Sequence, residues 1–318
     1  MANLSNGAID ILMATYNGEK FLDTQITSII NQTYPCWKLY IHDDGSSDRT
    51  KELIQKWCEI DERIIFIDDG ISYRNPAQNF MHLLPYSKAE YVCFADQDDY
   101  WLEYKLERML IKFESNSGAM LLFSSCFLWN TERNTIVPKI QFTPAYSLEE
   151  FLFLNSGIQG CAMFFNAELR NIILSHPVDY VYMHDHLISL VAYEFGTVLY
   201  TAEPLILYRQ YNGNTTAHVA ESKFARFKLI ASHNSVPVVY TPVYKGIEAF
   251  YHAYREELSD ESKANLSKYL KLPLLSFWKC FFTLIISPFS LGHRGKIALM
   301  VKILIRPFCN GDILERKE

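Results

Sequence analysis

The sequence lacks the signatures of several common protein classes. No Cys-x-x-Cys pair occurs among its seven cysteines, and several of them lie inside apolar runs, which is typical of buried thiols in a reducing compartment. Neither a Gly-x-Gly-x-x-Gly fingerprint nor a Walker loop is present, which removes the common dinucleotide-binding and P-loop interpretations. The first ten residues, MANLSNGAID, show no charged start followed by an apolar run. No secretory signal is therefore expected, and a cytoplasmic location is predicted.

Basic residues are scarce in most of the chain. Of its 318 residues, the first 262 carry 20 Lys or Arg against 33 Asp or Glu, a net charge of about −13. General nucleic-acid binding is excluded, because it needs a basic footprint. Residues 263–311 instead contain eight Lys or Arg and no Asp or Glu, so the C-terminal segment is strongly positive.

Apolar residues are abundant, at 49% hydrophobic and 14% aromatic content, so the chain can bury a large core. Short apolar runs alternate with segments of helical periodicity through the first hundred residues. This alternation predicts right-handed crossovers and a mostly parallel sheet flanked by helices. The predicted strands cover residues 8–14, 38–42, 64–67 and 91–95.

The fourth predicted strand ends abruptly at an acidic cluster. Asp96, Asp98 and Asp99 place three carboxylates within four residues, and such groups repel one another unless a cation binds between them. Their hard oxygen atoms favour Mg²⁺ or Mn²⁺ shared with a substrate's phosphates. An acidic surface turn is the alternative; a calcium loop is disfavoured because Trp101 stands where such a loop needs glycine. A second acidic cluster, Asp43 to Asp48, follows the second strand.

Four segments carry a further signal by their order: Ile11–Gly18, Ser28–Tyr34, Asp43–Thr50 and Ala95–Asp99. In this order they resemble the family 2 inverting glycosyltransferases of the GT-A fold. The run Asp96-Gln97-Asp98-Asp99 followed by Trp101, together with Tyr208-Arg209-Gln210, looks most like the rhamnosyltransferase-type members. The resemblance covers roughly residues 8–215. It implies a GT-A nucleotide-diphospho-sugar transferase fold with a C-terminal helical extension.

The resemblance also implies a nucleotide-sugar site. Asp98, together with Asp96, would hold Mg²⁺ or Mn²⁺ against the donor diphosphate. Asp99 is expected to cap a helix over residues 102–113 instead. The residues expected around the nucleotide are Thr15, Tyr16, Asn17, Asp43, Asp44, Asp96 and Gln97.

Asp185 matches the family's catalytic base at the start of a helix. A direct displacement needs a group that removes the acceptor hydroxyl's proton, although Asp185 could equally cap its helix. Arg209 would contact phosphate or, alternatively, pair with an acid at the rim of the core. Tyr211 stands where the family pattern leads us to expect histidine. The residues expected on the diphosphate or acceptor side are Arg209, Gln159, Gly160, His184 and Trp101.

The C-terminal part predicts a membrane-facing region. Residues 272–291 are strongly apolar, but Lys279 and Pro288 interrupt them, which favours helices in the interface of an anionic inner leaflet. A helical hairpin packed on the catalytic domain or on a second copy of the chain, as in a homodimer, is the alternative. The predicted domains are 1–218, catalytic, with a nucleotide-binding half (1–116) and an acceptor half (117–218), and 219–318, helical.

These inferences predict an inverting, metal-dependent glycosyltransferase. Its donor would be dTDP-rhamnose or a UDP-hexose, and its acceptor a glycan or lipid-linked precursor of a bacterial surface polysaccharide. Two alternatives belong to other classes. A nucleotidyltransferase would ordinarily show a glycine-rich basic loop near the first strand, and a non-catalytic glycan- or membrane-binding protein would keep the fold without turnover.

Overall fold

One mixed sheet organises most of the described chain. The computed structural model describes residues 7–113, 117–140, 145–154, 158–211, 237–290, 295–305 and 308. Nine strands within these ranges form a single sheet. The described chain separates into two compact units. One contains residues 7–140, 158–177 and 183–211, and the other contains 145–154, 178–182 and the residues from 237 onwards.

The first four strands are parallel. They lie in the order β3-β2-β1-β4, as expected for strands joined by helical crossovers. The register pairs Thr15 with Asp43 and Ala14 with Asp96, so the acidic segments meet at one end of the sheet. The elements of this half are β1 Ile9–Thr15, α1 Leu22–Ile30, β2 Trp37–Asp43, α2 Thr50–Ile60, β3 Ile64–Ile67, α3 Pro76–Leu83 and β4 Tyr91–Asp96.

The sheet continues with mixed strand directions. Its order is β4-β8-β6-β9-β5, and β7 forms a hairpin with β6. β8 is antiparallel to both β4 and β6, whereas β6 and β9 are parallel. The prediction of a mostly parallel sheet therefore describes the first four strands, and the whole sheet is mixed. The elements are α4 Lys105–Phe113, α5 Leu148–Phe151, α6 Ala167–Ser175, α7 His184–Phe195, β5 Tyr100–Trp101, β6 Met120–Asn130, β7 Thr135–Ile140, β8 Met163–Asn166 and β9 Thr197–Gln210.

The central strands are buried on both faces, as their continuous apolar sequences require. In β1, Ile9, Ile11, Leu12 and Met13 are all fully buried. Asp10 is also buried within this strand. Its carboxylate accepts hydrogen bonds from Ser87 Oγ (2.9 Å) and from the backbone N–H groups of residues 88 (2.7 Å) and 89 (2.8 Å), which replace the lost hydration.

The helix after the acidic cluster begins later than the sequence predicts. α4 starts at Lys105 rather than at residue 102, and Asp99 does not cap it. The Asp99 carboxylate instead accepts the backbone N–H of Arg209 at 3.0 Å. The helix begins later because the short strand β5, Tyr100–Trp101, lies between Asp99 and the helix and pairs with β9. Local periodicity does not encode this long-range contact.

The second compact unit is mainly helical. Tyr269 Oη donates to the carbonyl of Leu152 at 3.0 Å, and Phe153 packs edge-on against Tyr269. Residues 145–154 therefore group with the C-terminal helices, which a single boundary at residue 218 does not represent. Residues 222–232, which have helical periodicity within the predicted helical region 219–318, lie outside the described residues. The C-terminal helices are α8 Thr241–Tyr254, α9 Asp260–Lys271, α10 Phe277–Ile286 and α11 Gly295–Ile305.

Candidate active site

The loops after β1 and β2 are joined by hydrogen bonds. Thr15 Oγ1 donates to Asp43 Oδ2 at 3.0 Å, and the other Asp43 oxygen accepts the Ser46 N–H at 2.8 Å. Asn17, which adopts a positive φ of 47°, donates its N–H to Ser46 Oγ and accepts from Ser47 N–H. The sequence-predicted residues Thr15, Asn17 and Asp43 thus lie together, and Asp43 shapes the loop that carries them.

Asp44 organises a different segment. Its carboxylate is buried and accepts the backbone N–H groups of Tyr73, Arg74 (2.9 Å) and Asn75 (2.9 Å). Ser72 Oγ adds a contact at 3.2 Å. Asp44 therefore anchors residues 72–75 beside β2, and a contact with a nucleobase stays a prediction.

Gln97 links the acidic segment to the first loop. Its amide oxygen accepts the Tyr16 N–H and its amide nitrogen donates to the Tyr16 carbonyl, both at 2.9 Å. A Cβ on Gly18 would lie 2.3 Å from the Gln97 amide oxygen, so only glycine leaves room for this arrangement. Gln97 therefore fixes the backbone at Tyr16, whose ring is 55% exposed and free to face a ligand.

The carboxylates of Asp96, Asp98 and Asp185 are partly exposed, and those of Asp98 and Asp185 lie near Asp96 at the end of β4. Burial, followed by the charges of Asp98 and Asp185, raises the pKa of Asp96 to about 7. Burial also raises the pKa of Asp98, although its hydrogen bond from Tyr211 opposes the shift. The charges of Asp98 and Asp185 thus make Asp96 harder to ionise, and a cation bound beside it would offset this cost at neutral pH.

Asp98 is held by β9 and the residue that follows it. Tyr211 Oη donates to Asp98 Oδ2 at 2.8 Å, and Arg209 Nε donates to the Asp98 carbonyl. The Arg209 guanidinium lies between the rings of Phe21 (4.4 Å) and Trp129 (4.0 Å). Arg209 is 4% exposed, so it stabilises the backbone of the acidic segment from the core. Its contact with a diphosphate stays a prediction.

A buried set of polar groups lies behind these carboxylates. Ligand atoms of Asp96, Asp99 and Cys161 fall within 4.8 Å of one another. Burial raises the pKa of Cys161 well above that of a free thiol, so the thiol stays protonated and is a poor metal ligand. Burial lowers the pKa of Lys105, whose ammonium lies 3.3 Å from the Trp101 ring centre. The oxygen atoms of Asp96 and Asp98 are of the type that Mg²⁺ and Mn²⁺ prefer, and their binding of such an ion stays a prediction.

Asp185 occupies the first turn of α7. Its carboxylate accepts the N–H groups of His186 and Gly160, but burial dominates and raises its pKa to about 7. Gly160 belongs to a short 3₁₀ turn that follows Gln159. Asp185 does not serve as the N-cap, because that position is Met183, which makes no side-chain cap bond. Asp185 lies near enough to Asp96 to raise the pKa of that carboxyl, and its role as a base stays a prediction.

Two residues predicted on the diphosphate or acceptor side lie in the core. His184 stacks on Phe80 with ring centres 4.0 Å apart, and burial lowers its pKa to about 3. Trp101 is fully buried beneath Lys105. These placements correct the prediction for both side chains. His184 lies on the buried face of α7, where its ring packs against Phe80 and Phe94. Trp101 is buried because β5, which contains it, pairs with β9.

The structure adds three participants that sequence reasoning missed. Phe21 and Trp129 hold Arg209, and Lys105 supplies a buried positive charge beneath Asp96 and Asp99. A lysine among the apolar positions of α4 was a detectable signal, since buried lysines are rare without acidic partners. Phe21 and Trp129 gave no signal, because aromatic residues in apolar surroundings are ordinary core residues.

Comparison with known proteins agrees with this architecture. The family model "Glycosyl transferase family 2" matches residues 10–172. Similar curated proteins include the dTDP-rhamnosyl transferase RfbG of Shigella flexneri, 25% identical over 231 residues (69% of this chain, 78% of RfbG). The "Putative teichuronic acid biosynthesis glycosyltransferase TuaG" of Bacillus subtilis is 32% identical over 104 residues, which are 32% of this chain. The glucosyltransferase WfgD of Escherichia coli is 29% identical over 156 residues, 48% of this chain. The match spans 40% of TuaG and 57% of WfgD.

Solved structures show the same fold. S. aureus TarS in complex with UDP-GlcNAc has a TM-score of 0.56 at 15% identity, covering 87% of this chain and 79% of that one. The mannosyltransferase PcManGT of Pyrobaculum calidifontis, in complex with GDP-Man and Mn²⁺, has a TM-score of 0.51 at 14% identity, covering 88% and 74%. The sheet with its clustered strand-end carboxylates is therefore a GT-A glycosyltransferase sheet. The chain belongs to family 2 of the glycosyltransferases.

Proposed function

We propose that this chain is an inverting glycosyltransferase that extends a lipid-linked precursor of a bacterial surface polysaccharide from a nucleotide-diphosphate sugar. The convergence of Asp96, Asp98 and Asp185 at one end of the sheet carries the proposal. Two of these carboxylates suit cation binding, and the third suits proton removal. The names of RfbG and WfgD, a dTDP-rhamnosyl transferase and a glucosyltransferase acting on a diphosphoundecaprenol, support the substrate classes.

Asp185 is the proposed base. The N–H groups of Gly160 and His186 orient its carboxylate, and a pKa of about 7 lets it accept a proton near neutrality. It would remove the proton from the acceptor hydroxyl as that oxygen attacks the anomeric carbon. Direct attack from the face opposite the leaving group inverts the configuration.

Asp96 and Asp98 would hold Mg²⁺ or Mn²⁺, which stabilises negative charge on the departing diphosphate. Tyr211 and Arg209 keep Asp98 in place for this role, through a side-chain and a backbone contact respectively. Gln97 holds the backbone of Tyr16 next to the same site. Tyr16 would then cover the nucleoside with its exposed ring. We propose dTDP-rhamnose as the first donor to test and UDP-hexoses as the second, since RfbG matches over the longest stretch of the relatives above.

A two-stage experiment tests the proposal. Thermal shifts are measured with UDP, dTDP, GDP and ADP, each with Mn²⁺ or with chelator. They identify the nucleobase of the donor. A nucleotide at 100 times its dissociation constant stabilises a fold by about 2.7 kcal/mol, an easily measured shift. Release of that nucleotide from its sugar donors then measures turnover with a membrane extract as acceptor, and NMR of the product reports the anomeric configuration.

Two substitutions separate the roles. Asp185→Asn should retain the metal-dependent nucleotide shift and lose transfer, whereas Asp98→Asn should lose both. Asp179→Asn, at an exposed position, is the matched control and should change neither. Nucleotide binding without turnover by the unmodified protein would support a non-catalytic binding role, and unaltered transfer by Asp185→Asn would remove Asp185 as the base.

We also propose that the C-terminal helices bind an anionic membrane surface. In the described part of the chain, no helix has the length and apolarity needed to cross a membrane. α10 nevertheless exposes Trp278 (66%), Phe282 (60%) and Ile286 (84%) at intervals of four residues, which places them along one face. On α11, Ile297 is 78% exposed. The basic residues of 263–311 fit a negatively charged lipid surface.

Vesicle sedimentation tests this second proposal. Binding to phosphatidylglycerol vesicles should exceed binding to phosphatidylcholine vesicles, and Phe282→Ser with Ile286→Ser should abolish it. Ile60→Ser, which removes an exposed isoleucine from the other compact unit, serves as the control. Equal sedimentation of all three proteins would contradict membrane binding through α10. Loss of a dimer in the double variant, without any change in lipid binding, would identify the apolar face as a contact between copies.

A further inference from the structure

A second group of metal-ligating side chains lies apart from the carboxylates of the proposed catalytic site. His42 at the end of β2, Asp69 after β3 and His82 in α3 place their ligand atoms within 4.8 Å of one another. His42 Nε2 lies 3.2 Å from Asp69 Oδ1, and His82 Nε2 lies 2.7 Å from Asp69 Oδ2. His42 is 1% exposed, so this cluster begins in the core and opens at Asp69.

The hydrogen bonds of His42 indicate which ring nitrogen carries the proton and which one presents a lone pair to the Asp69 carboxylate. Its Nδ1 lies 2.6 Å from Asn79 Oδ1. The Asn79 nitrogen donates to the His42 carbonyl at 3.3 Å, which fixes the orientation of the amide and leaves its oxygen facing the ring. Because this oxygen only accepts, His42 Nδ1 must carry the proton.

With the proton on Nδ1, the lone pair of His42 Nε2 faces the Asp69 carboxylate. Asp69 is an acceptor as well, so the 3.2 Å contact joins two acceptors unless a cation lies between them. A second ring proton shared with Asp69 in a hydrogen bond is the alternative. A metal ion satisfies both atoms and leaves the Nδ1 hydrogen bond intact.

His82 shows the same arrangement. Its Nε2 faces Asp69, and its Nδ1 lies 3.1 Å from Tyr73 Oη, which can accept a hydrogen bond from the ring N–H. Imidazoles that bind metals commonly donate their other ring N–H to such a partner, which fixes the ring's orientation. Both histidines therefore have a hydrogen-bond partner on Nδ1 and direct Nε2 at one carboxylate.

From this geometry we propose that His42, Asp69 and His82 bind a zinc ion that is distinct from the metal of the transfer reaction. Ligands at about 2.0–2.1 Å in a tetrahedron lie roughly 3.3 Å apart, close to the His42–Asp69 separation of 3.2 Å. The His82–Asp69 separation of 2.7 Å is a hydrogen-bond distance and would widen by about half an ångström. Two imidazoles and a carboxylate are a ligand set that zinc accepts, with water in the fourth position.

The role of this zinc would be structural. It would tie the end of β2 to α3 and to the segment after β3. Residues 72–75, held by Asp44, lie in this same connection. Zinc would therefore stiffen a loop next to the proposed nucleotide site without contacting the reacting atoms.

Metal content and a spectroscopic probe test the proposal on the full-length chain. After chelation and reloading with Zn²⁺, the protein should retain one zinc that resists gel filtration, and Co²⁺ should give the visible absorption of a tetrahedral site. His82→Ala and Asp69→Asn should lose this zinc, and zinc should no longer raise their melting temperature. His252→Ala, which removes an exposed histidine from α8, should behave as the unmodified protein.

Asp98→Asn distinguishes the two metal sites. It removes a ligand of the proposed catalytic metal and none of this cluster, so it should keep the zinc and lose Mn²⁺-dependent nucleotide binding. Absence of retained zinc from the unmodified protein, or equal retention by His82→Ala, would overturn the proposal. In that case the cluster would be a set of hydrogen bonds that joins β2, α3 and the segment after β3 without a metal.

Discussion

Substitution of Asp96 by asparagine should stabilise the metal-free protein while removing its function. Burial and the charges of Asp98 and Asp185 raise the pKa of Asp96 from 3.8 to about 7. Each pKa unit corresponds to about 1.4 kcal/mol, so ionised Asp96 costs the native state about 2–4 kcal/mol at pH 8. Asparagine has nearly the same shape, remains neutral and still accepts a hydrogen bond from Cys161. The free energy of unfolding should therefore rise by this amount in chelator.

The pH dependence of this effect has a definite sign. An acid with a raised pKa binds its proton more tightly in the native state, so its cost disappears as the pH falls from about 7 towards 4. The advantage of Asp96→Asn should shrink by about 1.4 kcal/mol per pH unit across this window. Urea unfolding at pH 8 and pH 5, followed by tryptophan fluorescence, measures both values, because Trp37, Trp57, Trp101 and Trp129 all belong to the sheet-containing unit.

Asp10→Asn is the matched control. Asp10 is also a buried aspartate of this sheet, but three donors already satisfy its carboxylate. Weakening charge-assisted hydrogen bonds should destabilise the fold by about 1–3 kcal/mol. Opposite signs for the two substitutions would support the electrostatic account. Destabilisation by Asp96→Asn at pH 8 in chelator would refute it, as would an advantage that does not change between pH 8 and pH 5.

Three further outcomes follow from the geometry of the site. Burial raises the pKa of Asp185 to about 7, so the proposed base is protonated at lower pH. The transfer rate at saturating donor and metal should therefore fall about tenfold for each pH unit below 7. A flat rate from pH 5 to pH 8 would exclude Asp185 as the base. Tyr211→Phe removes the hydroxyl that orients Asp98 and should weaken Mn²⁺ binding about tenfold in calorimetry, whereas Tyr104→Phe, which lies outside the site, should not. Gly160→Ala would place a Cβ 2.4 Å from His184 Nε2 and should destabilise the fold by about 1–3 kcal/mol; additive melting shifts when it is combined with His184→Ala would show that this contact is not the cause.

Local sequence patterns were sufficient to predict the first half of the fold. Strand β3 has its predicted bounds, and β1, β2 and β4 differ from theirs by one residue at each affected end. Parallel strands joined by helices align their carboxyl ends at one edge, so the clusters at Asp43 and Asp96 had to meet. The GT-A fold and the family followed from four short motifs in the right order.

Contacts distant in sequence decided the rest. Whether Asp99 capped a helix depended on β9, which lies about 110 residues further along the chain and supplies the Arg209 N–H. The burial of His184 depends on its stacking against Phe80. The burial of Trp101 depends on the pairing of β5 with β9. The cluster of His42, Asp69 and His82 has no sequence motif at all, because its members come from a strand, a loop and a helix. A sequence specifies which side chains end a strand, but burial and pairing between remote segments decide which of them meet, which ionise and which remain open to a ligand.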